Sequence, residues 1–523
     1  MGETCITRRK LFLKLIILHY QFRPGGVRRV IEMAAPSISR EFQPRLSGIV
    51  LAGGEKIDPE WLEQFRKLVG VPVEEFVERS FGYVSEWGEL SSEKIRHVKS
   101  GVQRLLERHS QSVVWMHNPG VGRNLLLTQA MQASCRQRDL PLVMHHHDWW
   151  FDNRWARWRE FVATGFKTLE ETASSLFSAA GNVHHAAINQ ADAGLLQKYL
   201  GAKAAWLPNP LGNDVPPGPD ETQKAREWLR STIGQESPVW ILPCRLLRRK
   251  NIAEALLLTR WLRPEAVLVT TGGVSSADEE IYADRLARAA REHGWPLHLS
   301  VLAGKTNAPR VTALLATAEA VVLTSVQEGF GLPYLEAAEA SRPLVARRLP
   351  NIAPDLQRLG LRFPQSYDEL LVDGSLFDLK AERSRQRQLF QQWKAGLPVD
   401  VQALAGEPEW LQQDGAVPFS RLTLTAQLEV LMKPVEESWK GSMAANPWLE
   451  KWRVRAAKGT LQSSAGLEQA RLELSGAAYA KRFSALLSQP GSGLEKGDLI
   501  QNEFIRARLA RENLYPLLWS LDS

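Results

Sequence analysis

Short apolar, β-branched runs alternate with amphipathic stretches along most of this chain. LFLKLIIL (11–18), GIVLAGG (48–54), SVVWMHNPG (112–120) and the stretch PLVMHH from Pro141 read as buried strands. PVWILPC (238–244), EAVLVTTGG (265–273), PLHLSVLAGK (296–305) and VVL (321–323) read the same way. Between them lie segments with helical spacing, among them VRRVIEMAA and VTALLATAEA. Strands apolar at nearly every position are covered on both faces, which predicts parallel sheets flanked by helices. A chain of 523 residues suits two such α/β domains with additions. The pattern places a first domain over 10–206 and a second over 207–433, joined by a linker rich in proline and glycine that runs to Pro219. Residues 434–523 read as a largely helical extension: an appendage to the core, an oligomer contact, or a peripheral membrane patch.

Composition narrows the class. Cys5, Cys135 and Cys244 are far apart and odd in number, which argues against a disulfide framework and for a reducing compartment. The basic RRKLFLKLIIL could imitate a signal peptide, but Lys14 interrupts it and no small-residue cleavage site follows. Nothing reaches the ~20 apolar residues of a membrane span, so a cytoplasmic location is expected. A net charge of +7 is modest and dispersed, and no nucleic-acid motif accompanies it. It suits small anionic partners, not nucleic acid.

The chemistry concentrates in VVLTSVQEGFGLPYLE (321–336). A strand, a turn of small and polar residues, and a helix opening at Leu332 with Pro333 in its first turn direct free backbone N–H groups at one spot. That is a seat for a diphosphate. Glu328 and Glu336 flank it, and carboxylates suit sugar and ribose hydroxyls, which they accept pairwise. Upstream, Arg245 and Lys250 lie five apart just beyond a buried strand. Two cations there would stabilise a diphosphate as it leaves. Arg248 and Arg249 between them read as surface residues. Near the N-terminus, Gly25 and Gly26 open a helix behind the first strand, where backbone can approach a ligand closely.

E-G-F-G-L-P-x-L-E closely resembles the E-x7-E signature of glycosyltransferase family 4, retaining nucleotide-sugar enzymes of the GT-B fold. R-x-x-x-x-K at 245–250 and P-G-G-V-x-x-V at 24–30 resemble two further motifs of that family. Cys244 replaces the usual glycine before the arginine, and Ser341 stands where the family's A-x-G-x-P-V-V-A has glycine. The resemblance implies two Rossmann-like domains facing across a cleft and a retaining hexosyl transfer from a nucleotide-diphosphate sugar. UDP-sugar is slightly favoured over GDP-sugar; the acceptor would be a small-molecule, glycan or lipid-linked hydroxyl. It assigns Glu336 to the ribose, Glu328 to the donor sugar, and Arg245 and Lys250, with the backbone of Gly329, Phe330, Gly331 and Leu332, to the diphosphate. Gly25 and Gly26 would face the donor phosphates.

The strand from Pro141 ends in His145, His146 and His147, with His145 and His147 on one face and His146 on the other. No second ligand cluster with sensible spacing accompanies them, and the family's catalysis needs no metal or other cofactor, so none is expected. The family's donor-sugar histidine is best matched by His147, with His146 as the alternative. The aromatic WWFDNRWARWREF that follows reads mainly as packing, although it could line an acceptor pocket. A phosphorylase on the same scaffold and a non-catalytic binder are the rival readings.

Overall fold

The computed structural model describes residues 13–510 apart from 89–90, 153, 179, 213–215, 235, 275–276, 409–414 and 490–496. Residues 11–12 of the first predicted strand and 511–523 of the predicted helical extension lie outside them. The chain gathers into two compact units, one of Met1–Asn213 with Arg471–Ala507 and one centred on Asp214–Ala470.

The first lobe is a seven-stranded parallel sheet. Its strands are β1 (Lys14–Leu18), β2 (Gly48–Gly53), β3 (Val73–Val77), β4 (Ser112–His117), β5 (Leu142–His146), β6 (Val183–Ala187) and β7 (Ala204–Trp206), in the order β3-β2-β1-β4-β5-β6-β7. Apolar side chains of β1, β2 and β4 feed separate cores on the two faces of the sheet. The chain steps outward from β1 to β3 and then returns to lay β4 on the other side of β1. That reversal opens a crevice outside the carboxyl ends of β1 and β4.

The second lobe repeats the plan with six parallel strands. They are β8 (Val239–Leu242), β9 (Val267–Thr270), β10 (Leu297–His298), β11 (Ala320–Leu323), β12 (Leu344–Arg347) and β13 (Gln365–Tyr367), ordered β10-β9-β8-β11-β12-β13. Here the reversal lies between β8 and β11. The α/β architecture of two Rossmann-like sheets is thus as the pattern predicts. Helix Ile252–Leu262 is buried at every position but Arg260, because helices Leu424–Met432, Val435–Met443 and Trp448–Ala457 cover the side turned from the sheet.

Two strand readings need correction. β3 was not foreseen, because Glu74 and Glu75 break its apolar run at a sheet edge, where one flank stays wet. PLHLSVLAGK yields only the two-residue β10, since Ser300 adopts a left-handed backbone (φ 56°) that ends the extended run.

The helices after Lys433 divide between the lobes. Helix Gly476–Leu487 lies on helix Gly26–Glu41 of the first lobe, so closely that a Cβ on Gly476 would sit 2.1 Å from Ser37 Oγ. Helix Gly497–Arg508 is held elsewhere on the same lobe: the Gln501 amide donates to Leu169 O (2.7 Å), and Phe504 packs on Trp149 with ring centroids 4.5 Å apart. Trp149, Trp150 and Trp155 are buried, as the packing reading of their segment expects.

Candidate functional site

The β8–β11 reversal of the second lobe collects most of the residues singled out above. The loop leaving β8 is tied on one side to the loop after β9, through Gly272 N to Cys244 O (2.8 Å) and Leu246 N to Gly273 O (3.3 Å). On the other side it is tied to the loop after β11, through Val326 N to Arg249 O (3.0 Å) and Thr324 Oγ1 to Lys250 O (2.9 Å). These bonds bring Lys250 and Glu328 into contact. Lys250 Nζ donates to Glu328 Oε1, and both residues are only 8% exposed. Burial alone would raise the Glu328 pKa, but the Lys250 ammonium and the Arg249 guanidinium outweigh it and hold the carboxyl at about 2. It is a firmly ionised carboxylate.

Arg249 is not the surface residue the sequence suggested. Its Nη1 donates to Glu328 Oε2 (3.0 Å) and to Gln327 O (2.7 Å), because the β8–β11 tie folds it over the loop. Arg248 is not on the surface either. It is 9% exposed, donates to Leu422 O (3.0 Å) and lies over the Tyr282 ring. Arg245 stands at the crevice with its side chain 53% exposed, 3.9 Å from Glu279. Burial pushes the neighbouring Cys244 thiol up to about 12, which leaves it an inert filler.

Helix Leu332–Glu339 starts at Leu332 with Pro333 in its first turn, as predicted. Gly331 precedes it, packed so that a Cβ would meet Leu356 at 2.9 Å. Phe330 is buried, while Leu332 and Glu336 are half-buried on the same short helix and its entry. Asn351 Nδ2 donates to Glu328 O (2.7 Å), a strut for the 328–332 turn that the sequence reading missed.

A buried ionic network underpins Lys250 and was also missed. Asn251, left-handed at φ 53°, donates to Glu254 (2.8 Å) and accepts from Gln427 (3.1 Å). Glu254 receives Arg347 Nη2 on both oxygens (2.6 and 2.7 Å) and the Tyr367 hydroxyl (2.6 Å). Strands β12 and β13 and helix Leu424–Met432 thereby brace the Lys250 loop. Partners so distant in sequence carry no local signal.

In the first lobe, helix Gly26–Glu41 begins behind β1 with Gly25 as its cap. Gly25 is extended, and among the described residues a Cβ there would meet nothing nearer than Arg23 O at 3.9 Å, and one on Gly26 nothing within 4 Å. The fold itself makes no demand for either glycine. His147 lies just past β5, 8% exposed, with burial holding its pKa at about 3. It faces His117, a residue not picked out by sequence, at the end of β4: His117 Nδ1 and His147 Nε2 are 3.1 Å apart. His145 shares that side while His146 pairs with His185 on the other (3.1 Å), as strand alternation predicts. One ring nitrogen each of His117, His145 and His147 lie within 4.8 Å of one another, so the lack of a further ligand no longer argues against a metal. A pocket of about 560 Å³ opens beyond the ends of β1, β2 and β3, lined among others by Tyr20, Glu55, Arg79, Tyr83, Trp87 and Lys94. Among the described residues no helix is long and apolar enough to cross a membrane.

Residues 227–360 match the family model described as Glycosyl transferases group 1. Across a wider span the chain is 23% identical to the mannosylglucosyl-3-phosphoglycerate synthase of Petrotoga mobilis, over 68% of this chain and 69% of that protein. Among solved structures it is similar to sucrose-phosphate synthase from Thermosynechococcus elongatus (TM-score 0.50, 13% identity, 90% of this chain and 96% of that one). It is also similar to a glycosyltransferase from Rickettsia africae (TM-score 0.50, 8% identity, 92% and 100%). The segment holding Arg245, Lys250, Glu328 and Glu336 thus lies in the stretch that matches group 1 glycosyl transferases, and the two Rossmann-like parallel sheets are those of the GT-B architecture.

Proposed function

We propose that this chain is a retaining glycosyltransferase of family 4 type, moving a hexosyl group from a nucleotide-diphosphate sugar to a hydroxyl acceptor. The observation that carries the reading is the Arg249–Glu328–Lys250 cluster at the β8–β11 reversal, the place where α/β sheets bind ligands. An ammonium has three donors, and Glu328 takes one, so Lys250 can bridge that carboxylate and a diphosphate oxygen. Arg245 adds a forked cation at the same diphosphate. Backbone N–H groups of the 329–332 turn complete its seat, and Glu336 holds the ribose hydroxyls.

Glu328, kept ionised by its two cations, accepts from donor-sugar hydroxyls, and His147 is the first-lobe group that serves the same sugar. In the transfer the acceptor oxygen bonds to the anomeric carbon as its bond to the β-phosphate breaks. The departing phosphate oxygen takes the acceptor proton on the same face, which retains configuration. Charge growing on the diphosphate is met by Arg245 and Lys250, more strongly in the transition state than before it. No metal enters the step. UDP-sugar is favoured slightly over GDP-sugar as donor.

The first-lobe pocket is the candidate seat of the acceptor: Tyr83 and Trp87 offer ring faces, Glu55, Glu78 and Glu86 can accept from hydroxyls, and Arg79 and Lys94 add positive charge. The Petrotoga relative is named for a sugar phosphoglycerate, and from it we extend to this chain an anionic, hydroxylated small-molecule acceptor.

The test is thermal stabilisation of the purified chain by UDP, GDP and ADP without metal, in wild type and Glu336→Ala. At a hundredfold excess over Kd a true ligand adds about 2.7 kcal/mol. One nucleotide stabilising the wild type and not the variant supports the site and names the donor base. Stabilisation by none would sink the nucleotide-sugar reading.

A further inference from the structure

At the β1–β4 reversal of the first lobe, His147 has histidine neighbours to which the proposed transfer gives no role. His117 ends β4 fully buried, its ring 4.1 Å from Trp115 and 5.3 Å from His147, centroid to centroid. Its backbone carbonyl accepts from His19 Nδ1 (3.3 Å) at the end of β1. The next residue, Asn118, is left-handed (φ 56°) and its Oδ1 accepts from the backbone N–H groups of His147 (3.3 Å) and Asp148 (2.9 Å). Asn118 Nδ2 donates to Asp148 Oδ2 (3.1 Å). The backbone of His147 is clamped by Asn118, and its ring is clamped by His117.

That ring contact has a direction. Burial keeps both imidazoles neutral, so one proton lies between His117 Nδ1 and His147 Nε2. If His147 Nε2 were the donor, the His117 proton would move to Nε2, which is buried and has no hydrogen-bond partner among the described residues. A buried N–H without an acceptor is the rarer and costlier arrangement, whereas a bare ring lone pair is tolerated more readily. With His117 Nδ1 as donor, His147 carries its proton on Nδ1. We propose that His117 is a positioning residue that locks His147 in the Nδ1–H tautomer, so that His147 meets its substrate as a hydrogen-bond donor and not as a base. Resting on the transferase reading, this makes the partner of His147 an oxygen acceptor on the donor sugar and leaves the acceptor proton to the phosphate oxygen.

The test reads the tautomer directly and needs no substrate. Long-range 1H–15N imidazole spectra of the full chain labelled in histidine separate the two tautomers, and loss of a resonance in His147→Gln assigns the signal. The expected result is an Nδ1–H pattern for His147 in wild type, a shift toward Nε2–H in His117→Leu, and return of the Nδ1–H pattern in His117→Asn, whose amide N–H replaces the lost donor. If His117→Leu does not fold, the wild-type pattern and the Asn variant decide. An Nε2–H pattern in wild type, or one indifferent to both substitutions, would overturn the proposal. So would stoichiometric zinc in the purified chain, because an ion held by the cluster takes the lone pairs of both facing nitrogens. Failure of nucleotide binding would leave this spectrum unchanged, so the two readings fall separately.

Discussion

Glu328 carries two roles that pull on the same charge. In the proposed transfer its carboxylate is offered to substrate hydroxyls, yet it is also the counter-ion of Lys250 and Arg249. Such a buried pair is costly to break from one side, because the survivor keeps its desolvation cost without its partner. Lys250→Met should therefore destabilise the second lobe by about 3 kcal/mol as well as abolish transfer. The pH dependence follows from the sign of the shift. Glu328 has a folded pKa of about 2 against 4.5 for the ordinary carboxyl, so its stabilisation is complete above pH 4.5 and is lost as pH falls toward 2. Over that window the loss amounts to about 3 kcal/mol. Chemical denaturation of wild type and Glu328→Gln at a series of pH values checks this: the gap between them should close on acidification. A gap that stays constant would mean that the pair contributes nothing through its charge.

At the scale of elements, the motif helix Leu332–Glu339 ends in a strained turn. Ser341 sits there at φ 54°, its N–H bonded to Ala338 O (3.0 Å), at the position where the family resemblance has glycine. A left-handed backbone costs a residue with a Cβ about 1 kcal/mol that glycine escapes. Ser341→Gly should stabilise the second lobe by about that amount with the transfer rate unchanged, as denaturant midpoints and initial rates would reveal; an unchanged or lowered midpoint would count against strain at this turn. The same helix shows what was legible in the sequence. A buried strand, a glycine turn and a proline-started helix are local chemistry, so 321–339 could be read without a structure. Edge strand β3 hid behind two glutamates, and β10 stopped at one left-handed serine. Arg249, His117 and the Glu254–Arg347–Tyr367 network escaped for a different reason: each acquires its role from a partner on another strand or loop, 30 to 113 residues away. Spacing along the chain shows which residues could act. It does not show which partner holds them.

The molecule as a whole distributes its titratable burden unevenly. The first lobe buries His19, His109, His117, His145, His146, His147, His184 and His185, all with pKa values depressed below 6.5 by burial; His19, His184 and His185 lie at about 4. A group kept neutral in the folded lobe but free to take a proton when unfolded favours the unfolded chain once pH drops below 6.5. Each such histidine removes stability as pH falls from 6.5 to its folded pKa and nothing more below that. For His19 or His185 alone this is about 3 kcal/mol, and eight act on one lobe. In the second lobe the buried Glu328–Lys250 pair begins to fail only below pH 4.5, and Glu254, its pKa raised by burial, favours the folded lobe as pH falls. Acidification should therefore loosen the first lobe between pH 6.5 and 4 while the second still holds. Hydrogen exchange followed by mass spectrometry along a pH series, corrected for intrinsic exchange, should show protection lost first in peptides of β1, β4, β5 and β6, and later in those of β8, β11 and β12. Simultaneous loss in both sets would mean that the lobes unfold as one unit. Loss in the second set first would mean that the histidines do not govern acid stability.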